Sequence, residues 1–377
     1  MSKRAVRSVS IIGCGFVADL YMRSFAKHPD IAVTQVYDHD PVRLATFANH
    51  WNLHATDSIA RLLNNLPAGS LILNLTNPRA HFEVSQACLD AGHHVYSEKP
   101  LALKMQEAQA LYDLAKGKNL LLASAPCSIL GESAQTLAKA IRDNVCGQVR
   151  LIYADLDDGF IPQAPYINWV SESGALWPAQ DEFSVGCTIE HAGYYLVWLV
   201  GIFGSVRRIV AASAETIPEK PGGSAPDFAT ATLFFDNGLT ARLTCSITAS
   251  HDHRIRMFGD TGVLQVRNAW DNTAPVRFHR RIAFRRRLVE HPIGRRIRIA
   301  GPTHPKVKRW GAAAMNFALG PAEMLDALNE QRPCRLSADL ALHLNEVTLA
   351  IQNAGNSGAA QDMKTHCEPI PAMVWST

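Results

Sequence analysis

The sequence predicts two domains: an N-terminal α/β domain with a doubly wound parallel sheet, and a C-terminal α+β domain with a large, mostly antiparallel sheet. Two patterns support this prediction. Over residues 1–126, short apolar runs alternate with segments of helical periodicity, which is typical of a parallel sheet. Over residues 127–377, several strand-like runs follow one another with hairpin signals between them, which is typical of an antiparallel sheet.

The composition is that of a globular chain long enough for two domains. Of its 377 residues, 47% are hydrophobic and 19% are charged, and the net charge is only +3. Because this charge is small, we expect no nucleic-acid partner. The apolar stretches are too short to span a bilayer, and no targeting segment is apparent, so we expect no membrane partner. Eight scattered cysteines without a Cys-x-x-Cys pair indicate buried thiols in a reducing compartment, and we expect a cytoplasmic protein.

The first strand leads into a glycine-rich turn. Val9-Ser10-Ile11-Ile12 is an apolar strand, and Gly13-Cys14-Gly15-Phe16-Val17-Ala18 follows it at the start of a helical run. Gly13 permits a tight turn, Gly15 lets the backbone approach a pyrophosphate, and the small Ala18 lets the helix pack closely. The helix N-terminus also attracts phosphate charge. This pattern predicts a dinucleotide-binding Rossmann turn, with these cofactor-binding candidates: Gly13, Gly15, Phe16 and Val17.

The next strand ends in an acid. Ala32-Val33-Thr34-Gln35-Val36-Tyr37 precedes Asp38. An acid about twenty residues beyond the glycines is placed to accept hydrogen bonds from the adenosine ribose hydroxyls. Asp38 would repel the 2′-phosphate of NADP, and the nearest arginine, Arg43, lies inside the next helix, so the pattern favours NAD over NADP. The alternative is that Asp38 only caps the helix that begins near Pro41.

The alternation continues, and polar residues follow the strands. Strands are expected at 71–75, 94–97 and 120–123, separated by helices at 79–91 and 103–118. Because the carboxyl ends of parallel strands meet at the ligand crevice, four residues are expected beside the cofactor: Thr76, Asn77, Glu98 and Lys99. His81 lies one helical turn further, where it either reaches the cofactor or only helps to begin its helix.

Lys99 is the residue around which the predicted site is organised. Pro100 fixes its own φ and biases Lys99 away from helical geometry, so the backbone aims the ammonium from the end of a strand. The alternative is a solvated lysine in a turn, since lysine is usually a surface residue.

The second domain is predicted to hold one long loop, several strands and four helices. Helices are expected at 132–144, 188–203, 314–329 and 338–354, a strand at 149–156, and hairpin turns at 234–238 and 259–262. Residues 158–186 are rich in Pro, Gly, Ser and Trp, and we predict an irregular segment there. Long loops in compact domains are often functional, which makes Trp177 a substrate-binding candidate. A packed surface loop is the alternative.

Two charged clusters are not explained by the predicted cofactor-binding and substrate-binding residues. The tract 277–309 is dense in Arg and Lys, and Glu290 is its only acid. It either binds an anionic substrate or a subunit, or forms a solvated edge of the sheet. His251-Asp252-His253 has the residue types of a metal site, but no third ligand with metal spacing is visible in the sequence. We therefore predict no metal.

The predicted helix at 188–203 carries the catalytic candidates. Glu190 and Tyr194 are four residues apart, so they share a face. Oxidation of an alcohol by hydride transfer also requires removal of the hydroxyl proton. A tyrosine can accept that proton if a nearby ammonium lowers its pKa from about 10, and Lys99 is the candidate. Glu190 would orient the site and hold Lys99 charged. The alternatives are a core tyrosine with a surface acid, and His191 as the proton acceptor. The substrate-binding candidates are Lys99, Trp177, Glu190, His191 and Tyr194.

Nearly the whole chain resembles one family, the glucose–fructose oxidoreductase, inositol dehydrogenase and rhizopine-catabolism (Gfo/Idh/MocA) oxidoreductases. The resemblance rests on the glycine turn, on Asp38, on Tyr96-Ser97-Glu98-Lys99-Pro100 and on residues 186–204. It implies that Lys99 is the catalytic lysine. Many members carry Asp-x-x-x-His where this chain has Glu190-His191-Ala192-Gly193-Tyr194. The tyrosine resembles the glucose–fructose oxidoreductase and dihydrodiol dehydrogenase branches, in which tyrosine transfers the proton, whereas the glutamate departs from both patterns.

These features predict an NAD-dependent oxidoreductase that moves a hydride between the nicotinamide and a carbinol carbon of a sugar, polyol or sugar derivative. Tyr194 is the predicted acid/base, assisted by Lys99 and Glu190. One alternative is an NAD-retaining glycosidase or lyase that oxidises a sugar only transiently, and another is a non-catalytic NAD-binding regulator. We expect a small carbohydrate as substrate, and a homodimer or homotetramer formed through the C-terminal sheet.

Overall fold

The computed structural model describes residues 7–307 and 314–377. These residues form two sheets with helices packed on them. The first is a sheet of five parallel strands, and the second has eleven strands that are antiparallel except for one pair. The predicted fold class is therefore confirmed.

The first sheet has the strand order β2-β1-β3-β4-β5. Its strands are β1 (Arg7–Ile12), β2 (Ile31–Tyr37), β3 (Leu71–Asn74), β4 (His94–Ser97) and β5 (Leu122–Ser124). The connecting helices are α1 (Phe16–Phe25), α2 (Pro41–Trp51), α3 (Ile59–Asn65), α4 (His81–Asp90) and α5 (Met105–Gly117). Every residue of β3 and β4 is buried, because helices cover both faces of the sheet. The strand order reverses between β1 and β3, and sheets of this kind bind ligands at that reversal.

The second sheet is built around the parallel pair β6 and β9. Its strands are β6 (Val149–Phe160), β7 (Val206–Ala214), β8 (Phe228–Phe235), β9 (Thr240–Ser246), β10 (Thr248–Asp252), β11 (Ile255–Gly259), β12 (Gly262–Val266), β13 (Val276–Phe284), β14 (Arg287–Glu290), β15 (Arg295–Ile297) and β16 (Ala360–Asp362). Burial alternates along β8, so one face packs on the core and the other does not. The hairpins predicted between β8 and β9 and between β11 and β12 are both present.

Five α-helices belong to the C-terminal part. They are α6 (Glu132–Arg142), α7 (Ala179–Val185), α8 (Gly193–Phe203), α9 (Leu319–Glu330) and α10 (Ala338–Gln352). A turn of π-helix at Thr188–Ala192 leads into α8, whose apolar residues are almost all buried. Helix α10 returns to the first sheet, where Asn345 accepts a hydrogen bond of 3.1 Å from the backbone N–H of Ala102. The two halves thus share a packed core.

Four predicted elements differ from the structure. Strand β6 continues to Phe160 because β10 pairs with its second half, and α7 forms within the segment 158–186 because Phe183 and Val185 are buried there. The predicted single helix at 188–203 begins as a π-helical turn, a distortion that is frequent at functional sites. Helix α5 begins at Met105, two residues after the predicted start at 103, and Pro100 lies in the turn between β4 and this helix.

The basic tract forms β13, β14 and β15 at one edge of the second sheet. Its described residues do not line the cleft discussed below, which favours a solvated edge or a subunit contact over the alternative that the tract binds the substrate. The side chain of Arg281 instead donates to the carbonyls of Gly259 and Asp260 at 2.8 Å each. Lys308 and Arg309, at the end of the tract, lie outside the described residues.

All eight cysteines are free and buried, as the sequence predicts. Among the helices of residues 7–307 and 314–377, none combines the length and apolar character needed to cross a membrane.

Candidate active site

A cleft of about 750 Å³ lies at the carboxyl ends of the parallel strands, against the end of β6, α7 and the π-helical turn. The cleft brings together residues from both halves of the chain. All ten predicted cofactor-binding residues line it: Gly13, Gly15, Phe16, Val17, Asp38, Thr76, Asn77, His81, Glu98 and Lys99. The other predicted substrate-binding and catalytic residues line it as well: Trp177, Glu190, His191 and Tyr194.

The glycine turn has the geometry that a dinucleotide requires. Gly13 has a φ of +100°, and a Cβ there would lie 2.5 Å from the carbonyl carbon of Leu75, so only glycine fits. A Cβ on Gly15 would meet nothing within 4 Å, which leaves open space at the N-terminus of α1. No side chain in the part of the chain that the structure describes caps this helix end, so its N–H groups are available to a phosphate.

Asp38 is held at the end of β2 by two backbone N–H groups, from Cys14 at 2.8 Å and from Asp40 at 2.9 Å. The cap of α2 is Asp40, whose Oδ1 accepts from Val42 and Arg43. The alternative that Asp38 only caps this helix is therefore wrong. The guanidinium of Arg43 lies 3.3 Å from the Asp38 carboxylate, beside the same end of the cleft.

The turns after β3 and β4 are fixed by buried polar side chains. The Oδ1 of Asn74 accepts from the hydroxyl of Thr76 at 2.6 Å. His81 begins α4, and its ring nitrogens contact the carbonyl oxygens of Pro100 at 2.7 Å and of Thr76 at 3.0 Å. Because both nitrogens of His81 are engaged with the backbone, this residue positions the two turns and leaves no ring nitrogen for a cofactor.

Glu98 is held by hydrogen bonds from helix α1 and from the backbone of Lys99. Its Oε1 accepts from the hydroxyl of Tyr21 at 2.7 Å, and its Oε2 accepts from the backbone N–H of Lys99 at 3.1 Å. Since Tyr21 lies on α1 and is fully buried, Glu98 links the helix of the glycine turn to the strand end that carries Lys99. This link sets the direction in which the lysine leaves the strand.

Lys99 forms an ion pair with Glu190, which in turn is hydrogen-bonded to Glu182. Burial alone would lower the pKa of Lys99, but the carboxylate of Glu190, the largest of the opposing effects, holds it above its ordinary value. Burial would raise the pKa of Glu190, but Lys99 and the hydrogen bond with Glu182 hold it below its ordinary value. Burial and the Glu190 charge raise the pKa of Glu182 well above its usual range, so its protonated form can donate to Glu190.

Tyr194 departs from the prediction in its pKa. Burial raises this pKa, and so do the acidic side chains of Glu98, Glu182 and Glu190. Lys99 lowers the pKa, but by less than these effects raise it. The predicted net lowering is therefore wrong, because one ammonium is opposed by several acids in a poorly hydrated site. Tyr194 is held as the neutral phenol, the form that can donate a proton.

His191 faces the cleft, and it does not point away from the face of Tyr194. The ring of Trp270 contacts both residues, with centroids 6.1 Å from His191 and 5.5 Å from Tyr194. Burial lowers the pKa of His191, which favours its neutral imidazole. The π-helical turn brings Glu190, His191 and Tyr194 to the same cavity.

An aromatic wall lies on the substrate side of the cleft. Trp177 packs against Trp169 at 5.1 Å and against Phe183 at 5.6 Å between ring centroids. The loop that carries these tryptophans is pinned to α1, because Asp19 accepts from the backbone N–H and the hydroxyl of Ser173 at 3.1 and 2.7 Å. The segment therefore borders the cleft, in agreement with the functional interpretation.

Asp158, Glu182 and Trp270 are among the cleft residues that the sequence does not single out. Glu182 lies on α7, a helix of seven residues within the segment predicted to be irregular. Asp158 and Trp270 had no local signal, since each reaches the cleft only through strand pairing over a long distance in sequence.

The fold and this cleft define an NAD-binding oxidoreductase, and comparison with known families identifies which one. Residues 7–125 match the oxidoreductase family with an NAD-binding Rossmann fold, and residues 134–265 match the GFO/IDH/MocA C-terminal domain. The chain belongs to the Gfo/Idh/MocA oxidoreductase family, and its cofactor is NAD.

Several relatives share part of the sequence. An uncharacterized oxidoreductase of Synechocystis sp. is 24% identical over 285 residues, which are 70% of this chain and 72% of that protein. A levoglucosan dehydrogenase of Pseudarthrobacter phenanthrenivorans is 26% identical over 57% of this chain and 55% of its own length. A UDP-N-acetylglucosamine 3-dehydrogenase of Acidithiobacillus ferrooxidans is 31% identical over 30% of this chain and 34% of its own length.

Solved structures share the whole fold. A levoglucosan dehydrogenase in complex with NADH superposes with a TM-score of 0.75 over 95% of this chain and 99% of that chain, at 17% identity. The WlbA dehydrogenase of Bordetella pertussis, in complex with NADH and UDP-GlcNAcA, gives 0.72 over 96% and 99%, also at 17% identity. At such identities the likeness establishes the fold alone.

Proposed function

We propose that this protein transfers a hydride between NAD and a carbinol carbon of a sugar, polyol or sugar derivative, with Tyr194 as the acid/base and Lys99 beside it. The observation that carries the proposal is the cleft itself: Lys99, Glu190 and Tyr194, drawn from two distant parts of the chain, line the cavity that the glycine turn and Asp38 also line.

The residues of the first domain are suited to hold NAD. The open space at Gly15 and the uncapped start of α1 fit a pyrophosphate, and the Asp38 carboxylate fits ribose hydroxyls. Bound NAD supplies the hydride acceptor, or as NADH the donor. The remaining chemistry, which is the movement of the hydroxyl proton, belongs to the protein.

Lys99 supplies a fixed positive charge. Its ion pair with Glu190 holds the ammonium in the cleft, and the raised pKa keeps it charged. In this position the ammonium stabilises negative charge that develops on the reacting oxygen. Glu190 and Glu182 act through Lys99, so they are positioning residues.

Tyr194 moves the proton at its phenolic oxygen. With a raised pKa the neutral phenol donates to the oxygen of a carbonyl that is being reduced, and the phenolate accepts the proton in the reverse direction. His191 lines the same cleft and is the rival for this role.

The substrate half of the cleft fits a carbohydrate. The rings of Trp169 and Trp177 offer an apolar surface for the C–H face of a sugar ring, while Asp158 and His191 offer polar groups to its hydroxyls. The names of the levoglucosan and UDP-N-acetylglucosamine dehydrogenases among the relatives support this substrate class.

The test is a panel of sugars, polyols and nucleotide sugars, incubated with the protein and NAD and followed at the absorbance of NADH. We expect net NADH formation with at least one of them, dependent on enzyme concentration. Release of a cleaved product without net NADH would contradict the proposal and identify a lyase or glycosidase. The absence of any reaction across the panel, in a protein that binds NADH, would contradict it as well.

We also propose assembly as a homodimer or homotetramer through the C-terminal sheet. Large apolar side chains are exposed on β13, on β14 and just after β14: Phe284 at 60%, Leu288 at 68%, Val289 at 36% and Ile293 at 77%. The mass in solution, measured by light scattering, should exceed that of one chain and fall when Leu288 and Phe284 are both replaced by Glu.

A further inference from the structure

Three potential metal ligands meet at the cleft wall. Asp158 Oδ1 lies 3.5 Å from Nδ1 of His251 and 3.3 Å from Nε2 of His253, and the three ligand atoms all lie within 4.8 Å of one another. From sequence, His251-Asp252-His253 predicts no metal site, because no third ligand is visible there. The structure supplies one, 93 residues before His251 in the chain.

Strand pairing explains how these residues meet. Strands β6 and β10 are antiparallel, with Ala249 opposite Gly159 and Asp252 opposite Asp157. The register shifts by one residue between these pairs, which is a β-bulge, and bulges re-aim side chains near functional sites. His251 and His253 are two residues apart, so in extended chain they point to the same side.

Neighbouring residues leave room for the Asp158, His251 and His253 cluster and pack against it. Gly159 lacks a side chain where His251 lies, since a Cβ there would be 2.8 Å from Nε2 of His251. The ring of Trp270 stacks on His253, with centroids 4.7 Å apart and planes at 29°. His191 approaches the other oxygen of Asp158 at 3.6 Å, where it can hold the orientation of the carboxylate.

The donor atoms lack other partners. Within residues 7–307 and 314–377, no Lys or Arg nitrogen lies within 4.0 Å of the Asp158 carboxylate, whereas the nearby Asp155 and Asp252 pair with Arg242 and Arg254. Nε2 of His253 and Nδ1 of His191 are buried and have no hydrogen-bond partner among the described residues. A buried polar atom without a partner is costly, and a bound cation would satisfy it.

We propose that Asp158, His251 and His253 bind one divalent transition-metal ion on the substrate side of the cleft. Two imidazoles and one carboxylate suit Zn²⁺, Co²⁺ or Mn²⁺ better than Mg²⁺ or Ca²⁺, which prefer oxygen ligands. Tetrahedral bonds of about 2.0–2.1 Å separate neighbouring donor atoms by about 3.4 Å, close to the 3.3 and 3.5 Å observed.

The position of the ion also indicates a role in substrate binding. Asp158 and His251 line the cleft, so the open coordination positions face the substrate space. There the ion would hold a hydroxyl, carboxylate or phosphate oxygen of the substrate. This second step rests on the proposed function, whereas the metal site itself does not.

The site is tested with the full-length protein, freed of any tag and of metal by chelation and dialysis, and titrated with Co²⁺ in the absence of NAD and substrate. We expect one Co²⁺ per chain, with visible d–d absorption bands, displaced by Zn²⁺. His251→Ala and Asp158→Asn should each weaken the binding more than about a hundredfold, because loss of a ligand costs more than loss of an outer partner. His251 is exposed, so its removal disturbs packing little.

His366→Ala is the matched control. This histidine is as exposed as His251, 69% for each side chain, and it lies 3.9 Å from Asp236, without a third ligand among the described residues. NADH affinity confirms that each variant is folded. Absence of stoichiometric Co²⁺ binding, or binding equal in wild type, His251→Ala and Asp158→Asn, would overturn the site. Once a substrate is known, removal of the metal by chelation should raise its KM. An unchanged KM would overturn the proposed contact between metal and substrate, whereas the metal site itself is tested by the Co²⁺ titration.

Discussion

The ammonium of Lys99 and the carboxylate of Glu190 form an ion pair across 91 positions of sequence. Lys99 leaves the end of β4 in the first sheet, and Glu190 lies in the π-helical turn that precedes α8. The pair therefore joins the cofactor half of the cleft to the substrate half. Its exposed fractions are only 17% and 4%, so each charge depends on the other.

Glu190→Gln should expose this dependence. Without the carboxylate, burial dominates and the pKa of Lys99 falls, so activity should decline with rising pH along a limb that the wild type lacks. Breaking a buried pair by removing one partner also lowers the free energy of unfolding by about 3–5 kcal/mol. Urea unfolding and a pH–rate profile measure the two effects.

The control for this prediction is Glu182→Gln. The amide retains a donor for Glu190, so the free energy of unfolding should change by about 1 kcal/mol or less. Equal losses in the two variants would show that the Lys99–Glu190 charge pair is not the relevant interaction.

Asp38→Ser should narrow the preference for NADH over NADPH. A carboxylate beside a 2′-phosphate costs several kcal/mol, so the wild type should prefer NADH by about a hundredfold or more. The serine removes this repulsion and leaves the Arg43 guanidinium, now 3.3 Å from Asp38, free to pair with the phosphate. Fluorescence titration with each cofactor measures the ratio.

Two outcomes would count against this account of cofactor choice. In the double variant Asp38→Ser, Arg43→Ala, the gain in NADPH affinity should disappear; if it persists, Arg43 has no part in it. Tighter binding of NADPH than NADH by the wild type would reject the role of Asp38.

Local patterns predicted the cofactor half of the cleft because each feature there depends on neighbours in sequence. The glycine turn, Asp38 and Lys99 follow directly from strand ends, and all line the cleft. The substrate half depends on pairing between distant strands. No local pattern relates Asp158 to His253, and the pKa of Tyr194 depends on acids that the fold gathers from three segments.

His343 predicts how stability varies with pH. Its Nε2 accepts a hydrogen bond of 2.9 Å from the backbone N–H of Val206, so the folded state requires the neutral ring. Burial lowers the pKa of His343 to about 4. The unfolded chain binds a proton near pH 6.5 and the folded chain does not. Stability is therefore complete above that pH and falls by about 1.4 kcal/mol per pH unit as the pH drops towards 4.

Urea unfolding at several pH values between 7.5 and 4.5 tests this dependence. His343→Gln keeps an acceptor for Val206 but cannot titrate, so its stability should fall less steeply with decreasing pH than that of the wild type. Other histidines with lowered pKa values leave a residual slope: His28, His81, His94, His191 and His304. Identical slopes in wild type and variant would assign the effect to those residues instead.

Tyr194→Phe tests proton transfer. The change removes one oxygen and little volume, so the fold and the affinity for NADH should survive. Turnover should fall by about a hundredfold to ten-thousandfold, the usual contribution of a positioned acid or base. Because the pKa of Tyr194 is raised, the wild type should keep its reductive activity up to about pH 10, where an ordinary tyrosine begins to ionise. Initial rates in both directions across this range measure the effect.

Tyr195→Phe is the matched control, since it makes the same change one residue further along. Tyr195 is fully buried in the core and does not line the cleft, and its hydroxyl has no hydrogen-bond partner within residues 7–307 and 314–377. The Tyr195→Phe variant should therefore retain turnover, which separates the loss of the Tyr194 hydroxyl from a general disturbance of α8.

His191→Ala tests the rival residue for proton transfer, because His191 faces the same cleft. Near-normal turnover in Tyr194→Phe together with an inactive His191→Ala would transfer the acid/base role to His191, since only that residue would then supply the proton.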